Sequence, residues 1–269
     1  MRRPILVGIL NVTEDSFSDG GRFLAPEAAL AQAHALMDAG ADVLDIGAAS
    51  SNPSCVAVPV ETEIARLAPV VAAAKGEGWP VSIDSFAPQT QHWALEQKIA
   101  YLNDIQGFPE PALTPALAAS AAKLIVMHSV QEKGPATRAD TDPAAIMDRV
   151  MEFFRTRIAA LTGAGIARTR LILDPGMGFF LGADPEVSLA VLRQIPALKS
   201  AFGLPVLISV SRKSFLRKLS GASIAESGPP TLAAELYAAS QGADMLRTHD
   251  PGALGAALTI WGHISSGKP

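Results

Sequence analysis

Three polar residues have side chains whose chemistry suits the edge of a flat heterocycle. Asp84, Asn103 and Asp174 each stand at the end of a short apolar run. A carboxylate pairs well with an edge that presents an amino group beside a ring N–H, and an Asn amide supplies both a donor and an acceptor. This set therefore indicates a nucleobase-like ring as ligand. The alternative, that both aspartates only cap loops, is left open by spacing alone.

A second set of residues has the chemistry of a phosphate site. Lys213, Arg247 and His249 follow the last two apolar runs of the chain, and Asn11 follows the first. Arg offers a bidentate fork to a phosphoryl group, and His adds a hydrogen bond. Asn11 supplies an uncharged oxygen that suits a magnesium ion bound at the same time to the anion. The sequence therefore predicts a phosphate site with Mg²⁺ as its cofactor.

The elements that must position these residues follow a βα rhythm. Short β-branched or aliphatic runs alternate with Ala- and Leu-rich segments of helical period. The predicted strands are 5–10, 42–46, 81–84, 101–103, 123–127, 170–173, 206–210 and 244–247. The predicted helices are 27–38, 61–74, 88–97, 111–119, 143–161, 186–194, 232–241 and 251–264.

Eight βα units predict a closed α/β barrel, the (β/α)₈ or TIM barrel, as a single domain over residues 1–269. Parallel strands need crossover connections, and eight of them close into this barrel without a linker between domains. An open doubly wound sheet is the weaker alternative, because no Gly-x-Gly-x-x-Gly follows the first strand. In a barrel the carboxyl ends of the strands build the active site. We expect acidic and amide groups on one side of that site and basic groups on the other.

Composition limits the class of partner. The 269 residues carry a net charge of −4, from 22 basic and 26 acidic side chains, and the basic residues are not clustered. We therefore expect no nucleic-acid partner. Asn11 and Thr13 interrupt the first apolar run before it reaches the length of a signal peptide or membrane span, so we expect a cytoplasmic protein with no membrane partner. With Cys55 alone, neither an internal disulfide nor a cysteine zinc cluster is expected.

Seven segments together resemble the dihydropteroate synthases. They occur in the family's order across almost the whole chain: GILNVTEDSFSDGGRF (8–23), GADVLDIG (40–47), VSIDSF (81–86), YLNDIQGF (101–108), LILDPGMGF (171–179), ISVSRKSFL (208–216) and LRTHDP (246–251). The NVT motif with the Asp, Asn and Asp set is shared with pterin-binding methyltransferase barrels. SRKSFL and the final Arg-x-His separate the synthases from those relatives.

The resemblance implies a reaction and a set of site residues. The reaction condenses 6-hydroxymethyl-7,8-dihydropterin diphosphate with 4-aminobenzoate, and gives 7,8-dihydropteroate and diphosphate in folate synthesis. By this resemblance the catalytic set is Asp84, Asp174, Lys213 and Arg247. The pterin positions are Asp84, Asn103, Asp174 and Lys213, with Met127 and Phe179 near the ring. The diphosphate and magnesium positions are Asn11, Arg247 and His249. The aminobenzoate positions are Ser51, Pro53, Ser211, Arg212 and Lys213, with Phe17 in a first loop that covers them.

Two loops depart from the common pattern of the family. GAASSNP (47–53) places Ser51 and Asn52 where the family has Thr and an anion-binding Arg, and GFFLGADPE (178–186) is longer and lacks a lysine. Both resemble the sulfonamide-insensitive, Sul-type branch. Sulfonamides imitate 4-aminobenzoate but carry a substituent beyond its outline, so a bulky Phe180 at the rim is expected to exclude the drug and admit the substrate. A neutral loop insertion is the alternative.

Two other functions stay open from the sequence. A pterin-dependent methyltransferase would use the same ring-binding set. A non-catalytic pterin-binding paralogue would lack part of the anion site, as Asn52 suggests, although Asn11, Lys213, Arg247 and His249 are all retained. The Ala- and Leu-rich helices late in the chain predict a homodimer, but their apolar stripe could equally be a packing layer of the barrel.

Overall fold

A computed structural model describes residues 2–13, 26–50, 57–131 and 134–266. The strands are β1 (Ile5–Asn11), β2 (Val43–Gly47), β3 (Val81–Asp84), β4 (Tyr101–Asp104), β5 (Lys123–Met127), β6 (Leu171–Asp174), β7 (Leu207–Ile208) and β8 (Met245–Thr248). The α-helices are α1 (Pro26–Asp38), α2 (Val60–Gly76), α3 (Pro88–Glu96), α4 (Thr114–Ala119), α5 (Ile146–Gly163), α6 (Pro185–Arg193), α7 (Ile195–Phe202), α8 (Ser214–Ser220), α9 (Gly228–Ser240) and α10 (Pro251–Ser266). Short 3₁₀ turns span Pro111–Leu113, Arg168–Arg170 and Gly178–Phe180.

The strands form one parallel sheet that curls into a nearly closed barrel. Their order is β6-β5-β4-β3-β2-β1-β8-β7. The remaining seam, between β6 and β7, is joined by a parallel bridge between Leu173 and Val206, and the Leu173 backbone N–H donates to Pro205 O at 2.8 Å. The predicted (β/α)₈ barrel is thereby confirmed.

An apolar layer packs inside the barrel near the amino ends of the strands. Its buried members are Val7, Val43, Tyr101, Ile125, Ile172, Leu207 and Met245. Successive side chains of a strand point to opposite faces, so the residue two positions further along faces the same interior. The interior of the barrel is therefore built in layers, and the next layer lies toward the carboxyl ends of the strands.

The predicted elements match the observed ones except at particular places. The strand predicted over 206–210 is shortened to Leu207–Ile208. The helices predicted from residues 111, 143 and 232 begin at Thr114, Ile146 and Gly228. Helices α7 and α8 were not predicted. Pro196 stands in the first turn of α7, where proline is tolerated although it reads as a break. Helix α8 has only seven residues and ends at Gly221 in the left-handed conformation.

Within the four described ranges, no helix is long and apolar enough to cross a bilayer.

Candidate active site

The second interior layer of the barrel carries the residues with chemistry. Two positions beyond the apolar layer, five strands present the side chains of Asp45, Asn103, Met127, Asp174 and Arg247. The ends of β1 and β3 add Asn11 and Asp84. Since the strands are parallel, all of these residues lie at the carboxyl end of the barrel. The predicted convergence of the strand ends is thus found in the structure.

Arg247 lies between two carboxylates. Its Nε donates to Asp45 Oδ2 at 2.5 Å, and its Nη2 donates to Asp84 Oδ2 at 2.7 Å. Burial lowers the pKa of Arg247, but the carboxylates of Asp45 and Asp84 raise it more, to above its ordinary value. Burial raises the pKa of Asp84 to about 7, although the charge of Arg247 opposes that rise. Positive and negative groups are therefore interleaved, which corrects the expected separation into two sides.

Lys213 lies within electrostatic reach of both predicted ring-binding carboxylates. Burial and the charge of Arg247 lower the pKa of Lys213 to about 8, while Asp174 and Asp84 act in the opposite direction. Burial raises the pKa of Asp174 to about 6, against a hydrogen bond from the Gly176 backbone N–H to Asp174 Oδ1 at 2.8 Å. Lys213 is thus still protonated near neutral pH, and the two carboxyl groups within its electrostatic reach have pKa values of about 6 and about 7.

Gly176 holds the turn that supports Asp174. Its φ is +76°, and a Cβ at this position would lie 2.4 Å from the His128 carbonyl oxygen. A residue with a side chain would therefore displace the backbone after β5. A glycine at position 176 is thus a geometric requirement of this site.

Asn103 and Met127 form the deep side of the site. Asn103 pairs in register with Asp84, is buried, and its Oδ1 has no hydrogen-bond partner among the described residues. An unsatisfied buried acceptor of this kind indicates a missing donor. Met127 pairs in register with Asp174 and packs in an apolar cluster with Ile105, Ala136 and Phe180, against which Phe179 also packs.

Phe180 is not at an exposed rim, contrary to the expectation from the sequence. Its side chain is 5% exposed and belongs to the Met127 cluster. The backbone carbonyl of Phe180 accepts from Val130 N at 2.9 Å, and the Lys213 ammonium lies 5.0 Å from the centroid of its ring. An apolar ring gains by this burial, and it attracts the cation to its face. Phe179, its neighbour, is the partly exposed phenylalanine of the pair.

A cavity of about 340 Å³ opens at this end of the barrel. It is lined by Asn11, Asp84, Ser211, Arg212, Lys213, Arg247 and His249, among others. Asn11 is exposed at its edge. The cavity brings together the residues that the sequence assigned to the anion and two of those assigned to the ring, Asp84 and Lys213.

His249 is a neutral hydrogen-bonding group. Burial, and then the charges of Arg212, Arg247 and Lys213, lower the pKa of His249 to about 3. Ser211 Oγ lies 2.9 Å from His249 Nδ1 and accepts from the His249 backbone N–H at 3.2 Å. Ser211 therefore orients His249, and the positive charge of the cavity comes from arginine and lysine.

Arg212 has an unusual backbone conformation for a residue with a side chain. Its φ is +57°, and its backbone N–H donates to Thr231 Oγ1 at 3.1 Å. Its side chain is exposed. Left-handed backbone is uncommon in a residue other than Gly or Asn, and such residues cluster at functional sites.

Several predicted site residues lie outside the described residues. These are Phe17, Ser51 and Pro53, together with Asn52. Their assignments stay predictions.

Asp45 is a residue of the second interior layer to which the sequence analysis assigned no role. It is fully buried and forms the shorter of the two ion pairs with Arg247. The signal was an acidic residue inside a strand that is otherwise apolar, since a buried charge needs a partner. Asp104, in contrast, was a strand-end residue that serves its own loop, because its carboxylate accepts from the backbone N–H groups of Gln106 and Phe108, each at 2.8 Å.

Comparison with known proteins decides the family of this chain. A family described as pterin binding enzyme matches residues 7–249. Dihydropteroate synthase type-2 of Escherichia coli is 59% identical over 256 residues, which cover 95% of this chain and 94% of that protein. The chain belongs to the dihydropteroate synthase family. The resemblance carried by the seven sequence segments is thereby confirmed.

Solved structures of dihydropteroate synthases share the fold of this family member. A Xanthomonas albilineans dihydropteroate synthase with 4-aminobenzoic acid is 36% identical, with a TM-score of 0.90, covering 100% of this chain and 95% of that chain. A dihydropteroate synthase from the same organism in complex with 7,8-dihydropteroate is 35% identical, with a TM-score of 0.86 and the same coverage. The chain is a transferase of folate biosynthesis, and the methyltransferase alternative has no support from these relatives.

Proposed function

We propose that the chain condenses 6-hydroxymethyl-7,8-dihydropterin diphosphate with 4-aminobenzoate, releases diphosphate and forms 7,8-dihydropteroate. The contact between Arg247 and Asp84 carries the proposal, because it joins the anion-binding and ring-binding groups in one cavity. The related structures that hold 4-aminobenzoic acid and 7,8-dihydropteroate support the same substrate and product.

The pterin is proposed to bind on the deep side of the second interior layer. Asp174 and Asp84 accept N–H donors of the ring when they are ionised, and Asn103 offers its unsatisfied Oδ1 to a further donor. Met127, which pairs in register with Asp174, and Phe179, which packs against the Met127 cluster, are proposed to provide apolar surface for the ring faces. A pterin ring bound in this position would direct its methylene group toward the cations Lys213 and Arg247.

The leaving group is proposed to depart toward Lys213 and Arg247. The bond between the pterin methylene carbon and oxygen breaks, and its electron pair leaves with the diphosphate. Cations already held in place stabilise that developing charge, which is usually the largest catalytic contribution. His249, kept neutral, adds a hydrogen bond. The carboxylates of Asp84 and Asp174 stabilise the positive charge that develops on the methylene.

The second substrate needs no strong base. An arylamine is largely neutral at pH 7, so its nitrogen attacks the methylene carbon directly and forms the new C–N bond. The proton that the nitrogen then carries leaves to water or to the released diphosphate. Ser211 and Arg212, with Ser51, Pro53 and Phe17, are proposed to surround the aminobenzoate.

Asn11 is proposed to hold a Mg²⁺ ion together with the substrate. No group of three or more His, Cys, Asp or Glu side chains that could hold a metal occurs in the described part of the chain. The exposed Asn11 oxygen at the cavity edge fits an ion that takes most of its ligands from phosphate and water, as Mg²⁺ often does. When bound, the ion would neutralise charge on the leaving diphosphate.

Sulfonamide resistance is proposed to depend on the Phe179–Phe180 pair. Because Phe180 is buried, it acts by supporting Phe179 and Lys213 rather than by meeting the drug. Phe180→Ala should therefore increase inhibition by a sulfonamide, by about tenfold for a lost contact of this size. Inhibition constants for a sulfonamide, with the KM for 4-aminobenzoate as control, measure the effect. Unchanged resistance in the variant would remove Phe180 from the proposal.

Diphosphate release separates the proposed reaction from its alternatives. Release from pterin diphosphate that depends on 4-aminobenzoate, with stoichiometric formation of dihydropteroate, is the expected result. Pterin binding without release would identify a non-catalytic paralogue instead. Asp174→Asn is the matched loss-of-function variant, because it keeps the size of the side chain and removes the charge.

We also propose that the chain is a single domain and that it forms a homodimer in the cytoplasm. Four large apolar side chains are exposed on α9 and α10: Tyr237, Ile260, Trp261 and Ile264. Exposed apolar patches often mark an interface between chains. Analytical ultracentrifugation should show a dimer that Trp261→Glu weakens, and a wild-type monomer at micromolar concentration would contradict the dimer.

A further inference from the structure

The ends of β3 and β4 are braced from outside the barrel by helix α3. Asp84 ends β3, and Asn103 faces it from β4. The chain leaves β3 through Ser85 and leaves β4 through Asp104. Between these two exits the strands share one backbone hydrogen bond, from Ser85 N to Asn103 O at 3.1 Å. A second connection would fix the separation of the two side chains more firmly.

Gln91 of α3 makes that connection. Its Nε2 donates to the Ser85 carbonyl oxygen at 2.7 Å. The same amide also acts on the Asp104 carboxylate, because it lowers the pKa of a carboxyl that burial raises. A primary amide has two N–H donors, so one amide can serve both strand ends. Gln91 is 1% exposed, so water does not replace its amide.

We propose that Gln91 is a positioning residue that sets the distance between Asp84 and Asn103, and thereby the affinity for the pterin ring. This inference rests on the proposed function. Gln91 does not line the cavity, so its effect passes through the two strand ends. A displacement of about 1 Å at a reacting or recognising group costs up to about 100-fold in rate.

Thr90, the neighbour of Gln91, is a matched control. Its Oγ1 donates to Glu63 Oε2 of α2 at 2.6 Å, and its side chain is fully buried. Thr90→Val therefore removes one buried hydrogen bond from the same turn of α3. It leaves the strand ends untouched, so any loss of stability occurs without a change at Asp84 and Asn103.

The experiment compares Gln91→Leu with Thr90→Val in the full-length chain. We measure melting temperature, kcat, and KM separately for pterin diphosphate and 4-aminobenzoate. Gln91→Leu should raise KM for pterin diphosphate by about tenfold, leave KM for 4-aminobenzoate within about twofold, and lower the melting temperature no more than Thr90→Val. Thr90→Val should leave both KM values unchanged. If Gln91→Leu does not fold, Gln91→Asn, whose amide is one methylene shorter, replaces it.

The pH dependence of the KM for pterin diphosphate distinguishes a positioning role of Gln91 from a purely structural role. Gln91→Glu places an ionised oxygen against the Ser85 carbonyl and the Asp104 carboxylate, but a protonated Glu has an O–H that donates to one of them. Each variant's defect is the factor by which it raises the KM for pterin diphosphate. The defect of Gln91→Glu, divided by that of Gln91→Leu, should therefore decrease as the pH falls. A ratio of the two defects that does not vary with pH would overturn the proposal.

The outcomes separate this inference from the proposed function. If the wild type turns over and Gln91→Leu has an unchanged KM for pterin diphosphate, the proposed role of Gln91 is overturned. The proposed function is not affected by that result. Failure of the wild type to release diphosphate overturns the proposed function. In that case calorimetric titration with pterin diphosphate still tests Gln91, because the expected loss is in ring affinity.

Discussion

The two interior layers of the barrel come from the same strands but differ in polarity and in their effect on stability. The layer near the amino ends is apolar and holds Tyr101 and Ile125, whereas two residues further along the same strands present Asn103 and Met127. The first layer stabilises the fold by burial. The second layer buries charge that is tolerated because Arg247 contacts two carboxylates. The fold therefore places its buried charges at the end of the barrel where substrate is proposed to bind.

The largest effect is expected at the centre of the charged layer. Arg247→Leu leaves the carboxylates of Asp45 and Asp84 without their partner, so the free energy of unfolding should fall by about 3–5 kcal/mol. The loss of the cation should also lower kcat/KM by about 10²–10³. Urea unfolding and steady-state kinetics measure both. Arg212→Leu, which alters an exposed side chain, should change the unfolding free energy by less than about 0.5 kcal/mol. Wild-type stability in Arg247→Leu would contradict the role of the ion pairs.

A substitution in the apolar layer should affect stability alone. Ile125 is 1% exposed, and Ile125→Ala should lower the free energy of unfolding by about 2–5 kcal/mol by leaving a cavity. The KM values of the folded enzyme should stay the same. Ile224→Ala, at a position that is 68% exposed, is the control and should unfold like the wild type. A rise in KM for Ile125→Ala would show that the two layers are not independent.

The smallest effect is a dependence on pH that belongs to the charged layer. Asp174 and Asp84 accept ring donors only when ionised, so kcat/KM for pterin diphosphate should rise as the pH increases through about 6 to 7. Lys213 holds the anion only when protonated, so kcat/KM should fall above a pH of about 8. A profile that is flat from pH 5.5 to 9 would contradict these assignments. Lys213→Arg should shift the alkaline fall in kcat/KM to higher pH, because an arginine stays protonated there.

The apolar layer and the strand ends were predictable from the sequence. The βα rhythm predicts the barrel, and the barrel then brings Asp84, Asn103 and Asp174 to one end. The interleaving of charges was not predictable, because Arg247 reaches Asp45 and Asp84 only through the registers that place β8, β1, β2 and β3 side by side.

The loop residues were predicted less well, since a loop conformation depends on the tertiary contacts around it. Phe180 was expected at the rim, but a carbonyl contact with Val130 and the Met127 cluster turn its ring inward. Asp104 also ends a strand, yet its carboxylate caps its own turn. Helix α8 is not predicted because its seven residues make only about two turns, too few to show a helical period.

The most direct test of the account is a double-mutant cycle between Asp84 and Lys213, measured as kcat/KM for pterin diphosphate with Asp84→Asn, Lys213→Met and the double variant. If ring-binding and anion-binding groups act in one cavity, the double variant should lose at least about tenfold less activity than the product of the two single losses. Losses that multiply, to within about twofold, would show that the two groups act independently and would contradict the account.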